Sequence, residues 1–408
     1  MRLRKLASLG IALAIAAAAS AASAQELELH GWVDARLVGV SADPSWTRGG
    51  LGKLRFDGHG SGIETGGAAL LATWTPAPAW LALASAQVQD TGRGGADVTE
   101  AWLRYRPVST TPWRWSLRGG LFFPTVSLEN DALGWTSPHT LTPSAINSWI
   151  GEEVRSIGAE LRVERRGPRS TLEGALALFG GNDPAGELMA VRGWSLSDLV
   201  YGLGSSIRTP DLSAHDAPPP RHFDPFVEMD DRIGWHGEVS WHAAGRARLT
   251  LMRYDNRADP SAEMHFEGHE IYAWRTRFWS VGAQASGHGL VWMAQAMVGD
   301  TEIRPSPSFR TDTGFWSAYL LAAREHGEWR PALRLDLFGT RQGPETLDEP
   351  ANEHGRALTV ALNWRPRPRL RVALELIHLR GARTERPRAG LPERFADTQL
   401  QLALRAFF

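Results

Sequence analysis

Arginine carries almost all the positive charge of this chain: after Lys5 the only lysine is Lys53. Its distribution is uneven. Arg104, Arg114 and Arg118 precede the stretch from Pro124 to Glu153, which holds Glu129, Asp131, Glu152 and Glu153 but no Lys or Arg; Arg155 and Arg162 follow it. A guanidinium is planar, permanently charged and easily kept ordered by its fork of donors, so it suits a wall that must present fixed charge. Opposed across a narrow aqueous space, such arginines and carboxylates would set a transverse field, and charged rings of that kind govern which ions pass. Arg275 and Arg277, between outward Tyr272, Trp274 and Phe278, are expected on the same inward face, as are Arg334, Arg371 and Arg405. Glu100, Glu160, Asp336 and Glu375 are candidate salt-bridge partners for them.

Catalytic chemistry finds little support. His265, His269 and Glu270 in HFEGHE are spaced like metal ligands, but they lie in a long connection with no third anchored ligand. His59 and Ser61 in GHGSG lack a third group to orient the base. His236, Glu238 and His242 share one strand face and read as polar wall. No nucleotide fingerprint is present, and no cofactor or metal is expected.

The segments that carry these residues alternate apolar and polar with period two, and none keeps a helical apolar face. In 329–339, Leu333, Leu335 and Leu337 oppose Arg334 and Asp336; in 369–380, Leu370, Val372, Leu374 and Leu376 oppose Arg371 and Glu375. Ile157, Ala159, Leu161 and Val163 oppose Glu160, Arg162 and Glu164 in the same way. Connections alternate strictly between short turns, such as AAGR and ASGHG, and long polar segments near 41–63, 91–96, 124–152, 181–231, 255–267, 300–313, 342–355 and 381–394. That asymmetry predicts an all-β transmembrane antiparallel barrel of about 16 strands, with short turns on one side of the membrane and long loops on the other. LGKLRFD, 51–57, reads as a small extra strand inside the first loop. The segment 268–284 reads as one strand.

A soluble sandwich would alternate too. Two features favour the membrane. Trp74, Trp80, Trp113, Trp241, Trp329 and Trp364 all lie beside short turns, where an aromatic girdle would meet the interface. Residues 1–24 combine Arg2, Arg4 and Lys5 with an apolar stretch and an Ala22-x-Ala24 site, as in a cleaved secretory leader, which leaves 25–408 as one mature barrel domain. Cysteine is absent, so no disulfide framework is available. Formal net charge is −1 before the leader is removed, which speaks against a nucleic-acid partner.

The mature chain resembles outer-membrane porins. Residues 97–130 are similar to a segment of the phosphate-selective porin O and P-like family in which an "ayLRY.P" strand leads to a "G.f..P.SLE" strand end. The matching positions are Ala101, Leu103, Arg104, Tyr105, Pro107, Gly120, Pro124, Ser127, Leu128 and Glu129. One departure matters: phosphate selectivity in that family is associated with an arginine filter and a lysine ladder, and a single mature lysine cannot supply the ladder. The resemblance implies that 124–153 is a constriction loop folded into the lumen, with its carboxylates facing the arginine wall. The alternative is an external acidic loop that contacts cations bound to lipopolysaccharide. It also implies that Phe408, Ala406, Leu404, Leu402 and Leu400 are the address read by the outer-membrane assembly machinery.

The expectation is a passive channel in the outer membrane of a Gram-negative bacterium, without enzymatic activity, for small hydrophilic, anionic solutes. Outer-membrane lipid and lipopolysaccharide would surround it, and a homotrimer is one assembly left open. A barrel enzyme and a soluble periplasmic ligand-binding β-protein are the competing readings.

Overall fold

The computed structural model describes residues 26–58, 61–89, 95–212, 219–266, 269–343 and 350–408. The expected leader, 1–24, lies outside them, as does His59. Sixteen strands close into one antiparallel barrel. They are β1 Leu27–Ser41, β2 Gly62–Ala77, β3 Trp80–Val88, β4 Ala96–Tyr105, β5 Trp113–Phe122, β6 Ser156–Arg166, β7 Ser170–Gly180 and β8 Gly234–Ala243. The others are β9 Ala247–Asp255, β10 Arg275–Gly287, β11 Leu290–Ser306, β12 Phe309–Arg324, β13 Trp329–Gln342, β14 Glu353–Arg367, β15 Leu370–Arg383 and β16 Arg394–Phe407.

Each strand pairs with the next, and β1 pairs with β16 to complete the cylinder. At that seam Gly31 and Phe408 exchange two backbone hydrogen bonds of 3.0 Å. A Cβ on Gly31 would lie 2.2 Å from the Phe408 ring, so the glycine makes room for the terminal aromatic. Closure leaves no strand edge unpaired, which a bilayer interior demands.

The outer surface is apolar through the middle of the barrel. Leu333, Leu335 and Leu337 are 49%, 43% and 41% exposed, whereas Arg334 and Asp336 between them are fully buried on the inside. Trp80, Trp113, Trp241, Trp329 and Trp364 are exposed on the outer face near the short turns, and Trp329 stacks on Trp364 at 5.7 Å. Among the described residues no helix is long and apolar enough to cross a membrane.

Three local readings are corrected. The segment 300–313 is not a loop: β11 and β12 run on to Ser306 and Phe309, and a register shift between Ile303 and Ser306 absorbs Pro305, the usual place for proline in a ladder. The strand expected at 268–284 starts only at Arg275, because His269–Tyr272 instead pairs with Glu263–Phe266 in a separate hairpin. Within 51–57 there are only isolated bridges, including Leu54 to Leu196. That stretch forms no strand of its own; Leu54 bridges to another loop, while Lys53 and Arg55 reach Glu353 of β14 and the Thr65 and Gly66 carbonyls of β2.

Candidate functional site: the barrel interior

The connection between β5 and β6 turns into the barrel and forms helix α1, Ala145–Glu153. Ser144 starts it by accepting a hydrogen bond from the Asn147 backbone N–H, a good N-cap. Every residue of α1 is buried. Trp149 packs edge-on against Phe278 and Phe315 of the wall, at 5.5 and 5.2 Å, and lies 6.1 Å from Trp194 of the β7–β8 connection. The interior around Trp149 is therefore apolar.

Charged clamps tie the same loop to β13–β16. Arg334 donates to Glu129 at 2.6 Å and to Asp336 at 2.7 Å, and also to the carbonyl oxygens of Thr142 and Pro143. Glu375 accepts from the backbone N–H groups of Leu141 and Thr142 at 2.6 and 3.1 Å. Arg371 donates to the carbonyls of Ser137 and Thr140 and to Asn363 Oδ1, while Arg405 binds Asp34 at 2.6 Å. These groups have no access to solvent beyond a trace, so each charge must be answered within the protein.

Beyond α1, the Arg155 guanidinium donates to the carbonyls of Ile150 and Gly151 at the helix C-terminus and to that of Tyr201, and lies 3.4 Å from the Phe123 ring centre. Glu152 binds Arg192 at 2.7 Å. Glu153 accepts from Trp149 Nε1 and from the Leu188 N–H, and burial pushes its carboxyl up to about 8. The β7–β8 connection thus packs on α1 from the long-loop end, and a third segment joins it. Lys53 is fully buried against Glu353 at 2.7 Å, and burial pushes its amine down to about 8. Asp198 sits between Arg36 and Arg55, at 2.6 and 3.0 Å; burial alone would raise its carboxyl, but the two guanidiniums hold it well below the usual range.

The opposite wall is wet. Arg114, Arg118, Arg162 and Arg248 keep 14 to 28% side-chain exposure. Arg118 meets Glu160 at 2.9 Å; Arg162 meets Glu160, Glu173 and Glu238; Arg248 meets Glu238 at 3.4 Å. Arg104 stands directly across from Arg118 in register. Among the described residues it has no carboxylate partner, and Arg106, Arg118 and Arg162 are its charged neighbours. Trp102 lies close to both guanidiniums, at 6.0 Å from Arg104 and 5.6 Å from Arg118. Of the four loop acids only Asp131 is exposed.

Several placements differ from the sequence reading. Arg275 and Arg277 point outward, toward Glu302 and Asp300 on the next strand, because Thr276 and Phe278 occupy the inward face. The parity was inverted by assigning aromatic Phe278 to lipid, whereas α1 gives it an apolar partner inside. Arg155, Arg334, Arg371 and Arg405 do face the interior but are buried, the first three against loop carbonyls and Arg405 against Asp34 and the Trp32 ring. Glu129, Glu152 and Glu153 are buried ligands of the plug rather than free charges. Lys53, Asp198, Arg192 and Glu353 were missed; they lie in connections or at a strand end, where no periodicity marks them. His265 stands opposite Glu270 in the Glu263–Tyr272 hairpin, and both are exposed. Among the described residues one carboxylate cluster, Asp183, Glu228 and Asp230, brings its oxygens within 4.8 Å of one another.

No family model and no curated protein matches this sequence. Solved structures do. The chain is similar to an anion-selective porin from Comamonas acidovorans, with a TM-score of 0.53 and 12% identity, covering 94% of this chain and 100% of that one. The fold is that of an outer-membrane porin. The outer-membrane channel DcaP of Acinetobacter baumannii gives a TM-score of 0.54 at 10% identity, covering 94% of this chain and 97% of its own. The trimer form of in-vitro folded OmpT, an outer membrane protein of Vibrio cholerae, gives 0.50 at 10% identity, covering 95% and 100%.

Proposed function

We propose that this chain is an outer-membrane channel for passive diffusion of small hydrophilic anions, with the 124–153 loop as its constriction. The observation that carries this reading is the wet wall. Arg104 and Arg118 are in register and partly exposed, Arg104 has no acid within its reach among the described residues, and three of the four loop carboxylates are withdrawn into the plug. The balance of accessible fixed charge along the aqueous side is therefore tipped toward cations by Arg104, which favours entry of anions. Arg114, Arg162 and Arg248 extend that wall, although their acids offset much of their charge. The Comamonas structure, described as anion-selective, has the same architecture. The segment around Arg104 also carries the resemblance to phosphate-selective porins, so inorganic phosphate is a solute to test first.

In this reading residues 1–24 export the chain, the terminal Phe408 strand is read by the assembly machinery, and lipid with lipopolysaccharide surrounds the barrel. A homotrimer is the assembly suggested by the trimer form of OmpT. No catalytic role is assigned to any residue. Reversal potential in planar bilayers across a salt gradient tests the selectivity. Anion preference that is lost in Arg104→Gln is expected; cation preference in the parent protein defeats the reading. Membrane fractionation tests the location, with a detergent requirement and heat-modifiable migration expected.

A further inference from the structure

Beside the inward pairs Arg104–Arg118 and Arg371–Arg405, a third pair of arginines stands in register, and it lies on the outside of the barrel. Arg356 of β14 is directly opposite Arg380 of β15, and both side chains are exposed. Side chains at directly opposed positions have Cβ atoms about 4.5–5.5 Å apart, and like charges there repel. Arg341, His354 and Arg394 are exposed on the same outer rim. None of the outward residues of β13 to β16 is a carboxylate, and the acid adjacent in sequence is Glu393 in the loop before Arg394.

The neighbouring strands show what a balanced rim looks like. On β10 to β12 three of the outward arginines at the same end are answered by an acid, Arg277 by Asp300 at 2.9 Å, Arg275 by Glu302 at 3.8 Å, and Arg310 by Asp312 at 3.5 Å, while Arg304 stands exposed and single among the described residues. Arg356 has no such partner among the described residues. Arg380 is held in place instead of neutralised. Its Nε donates to His378 Nε2 at 2.8 Å, which leaves His378 Nδ1–H to donate to Thr398 Oγ1 at 2.9 Å. A relay of that kind orients a guanidinium without cancelling its charge.

The pair also sits at a defined height. From the Trp364 girdle to Arg356 is eight residues, about 27 Å along the strand and about 20 Å of rise at the usual barrel tilt, close to the top of a roughly 25 Å apolar belt. Leu358, Leu376 and Leu400 lie just below it on the same face. Basic groups immediately beyond an apolar surface are placed to meet anionic lipid headgroups, and the arginine fork matches phosphate oxygens bidentately.

We infer that the outer rim of β13–β16 binds a phosphorylated lipid headgroup of the leaflet on the long-loop side, with Arg356 and Arg380 on the phosphate and Arg341 and Arg394 flanking it. The inference rests on the membrane placement proposed above, but not on what passes through the barrel.

The test uses the full mature chain in an uncharged detergent, titrated with diphosphorylated lipid A, with the same lipid after phosphate removal, and with inorganic phosphate. Saturable binding of the diphosphorylated lipid is expected, at least tenfold weaker in the double variant Arg356→Gln, Arg380→Gln and unchanged in Arg275→Gln, Arg277→Gln. Heat-modifiable migration confirms that each variant is folded; if the double variant is not, Arg356→Gln alone is compared with Arg277→Gln. Equal binding by the dephosphorylated lipid, equal affinity for inorganic phosphate alone, or an unaffected arginine variant overturns the inference. Fractionation reports separately on membrane placement, so the two readings fail by different measurements.

Discussion

Arg104–Arg118 and Arg371–Arg405 are both inward pairs of arginines in direct cross-strand register, one on each side of the same barrel. They do different work. On the β15–β16 side the loop from β5 covers Arg371 with the carbonyl oxygens of Ser137 and Thr140, and Asp34 with the Trp32 ring covers Arg405. On the β4–β5 side no loop carbonyl binds the pair among the described residues, Trp102 lies beside both guanidiniums, and each side chain stays partly exposed. Residue type and strand parity are identical in the two places, so neither decides whether an inward arginine anchors a loop or meets a solute. What decides is the segment that folds over it. A buried guanidinium without partners would cost several kcal/mol, so the loop and its wall stabilise one another or neither is stable in place.

The sharpest way to break this contrast is at Arg334. Arg334→Met leaves Glu129 and Asp336 buried and unpaired, and removal of one partner from such a cluster costs about 3–5 kcal/mol. Loss of loop docking is expected, read as faster hydrogen exchange over 137–153 with the barrel still resistant to heat in detergent. Arg118→Gln on the other wall should cost less, because Glu160 keeps a second partner in Arg162. Equal protection of the loop in parent and Arg334→Met would end the distinction between anchor and lining.

The outer face gives the next largest effect. Leu335→Arg places a charge on the exposed apolar surface one residue from Arg334, and should lower barrel stability by about 2–4 kcal/mol if that surface meets mid-bilayer. The measurement is the denaturant midpoint of unfolding from lipid vesicles. No change would mean that Leu335 faces water.

The barrel was legible because its signals are local. Alternation in Leu333 to Leu337, paired short and long connections, and tryptophans beside the turns each follow from strands with one apolar and one polar face. The interior was legible only in part, because period two assumes that the inward face is polar. Phe278, Phe315 and Met297 break that assumption: they face inward because Trp149 and its helix offer them an apolar surface. A helix that arrives from a loop leaves no mark on the strand that receives it. Hence Arg275 and Arg277 were placed on the wrong side, and Lys53, Asp198 and Arg192, whose partners lie far away in sequence, could not be found at all.

The plug should also respond to pH. Burial pushes Glu153 up to about 8 and Glu187 up to about 7, from an ordinary value of 4.5. The docked form therefore holds protons that a released loop would lose. Its stabilisation is complete below the ordinary carboxylate range and is lost as pH rises through about 7 to 8. Protection from hydrogen exchange over 145–199, taken relative to the intrinsic base-catalysed rate at each pH, should fall between pH 5 and pH 8.5, and Glu153→Gln should flatten the upper part of that profile. A profile that runs the other way would show that Glu153 is ionised when docked.

Selectivity gives the smallest energies and the finest division between the two walls. A unit charge acting on an ion at 4 Å in water-like surroundings contributes about 1 kcal/mol, an about fivefold change in local ion concentration. Arg104→Gln should therefore move the reversal potential toward cations, and Arg371→Gln should not move it directly, since its charge is already answered by loop carbonyls. The loop acids divide in the same way. Asp131 is exposed, so Asp131→Asn should shift preference toward anions, by less than Arg104→Gln shifts it toward cations because Asp131 is the better solvated. Glu129 is fully buried on Arg334, so Glu129→Gln should loosen the loop, read as noisier single-channel current, without a directed change in selectivity. Salt separates the two kinds of charge, because groups in a confined space are screened less than those on an open surface. If Asp131→Asn has its full effect at high salt, the carboxylate stands in the narrow part of the aqueous path; if the effect vanishes as salt rises, Asp131 lies on an open surface and the constriction is set by the arginine wall alone.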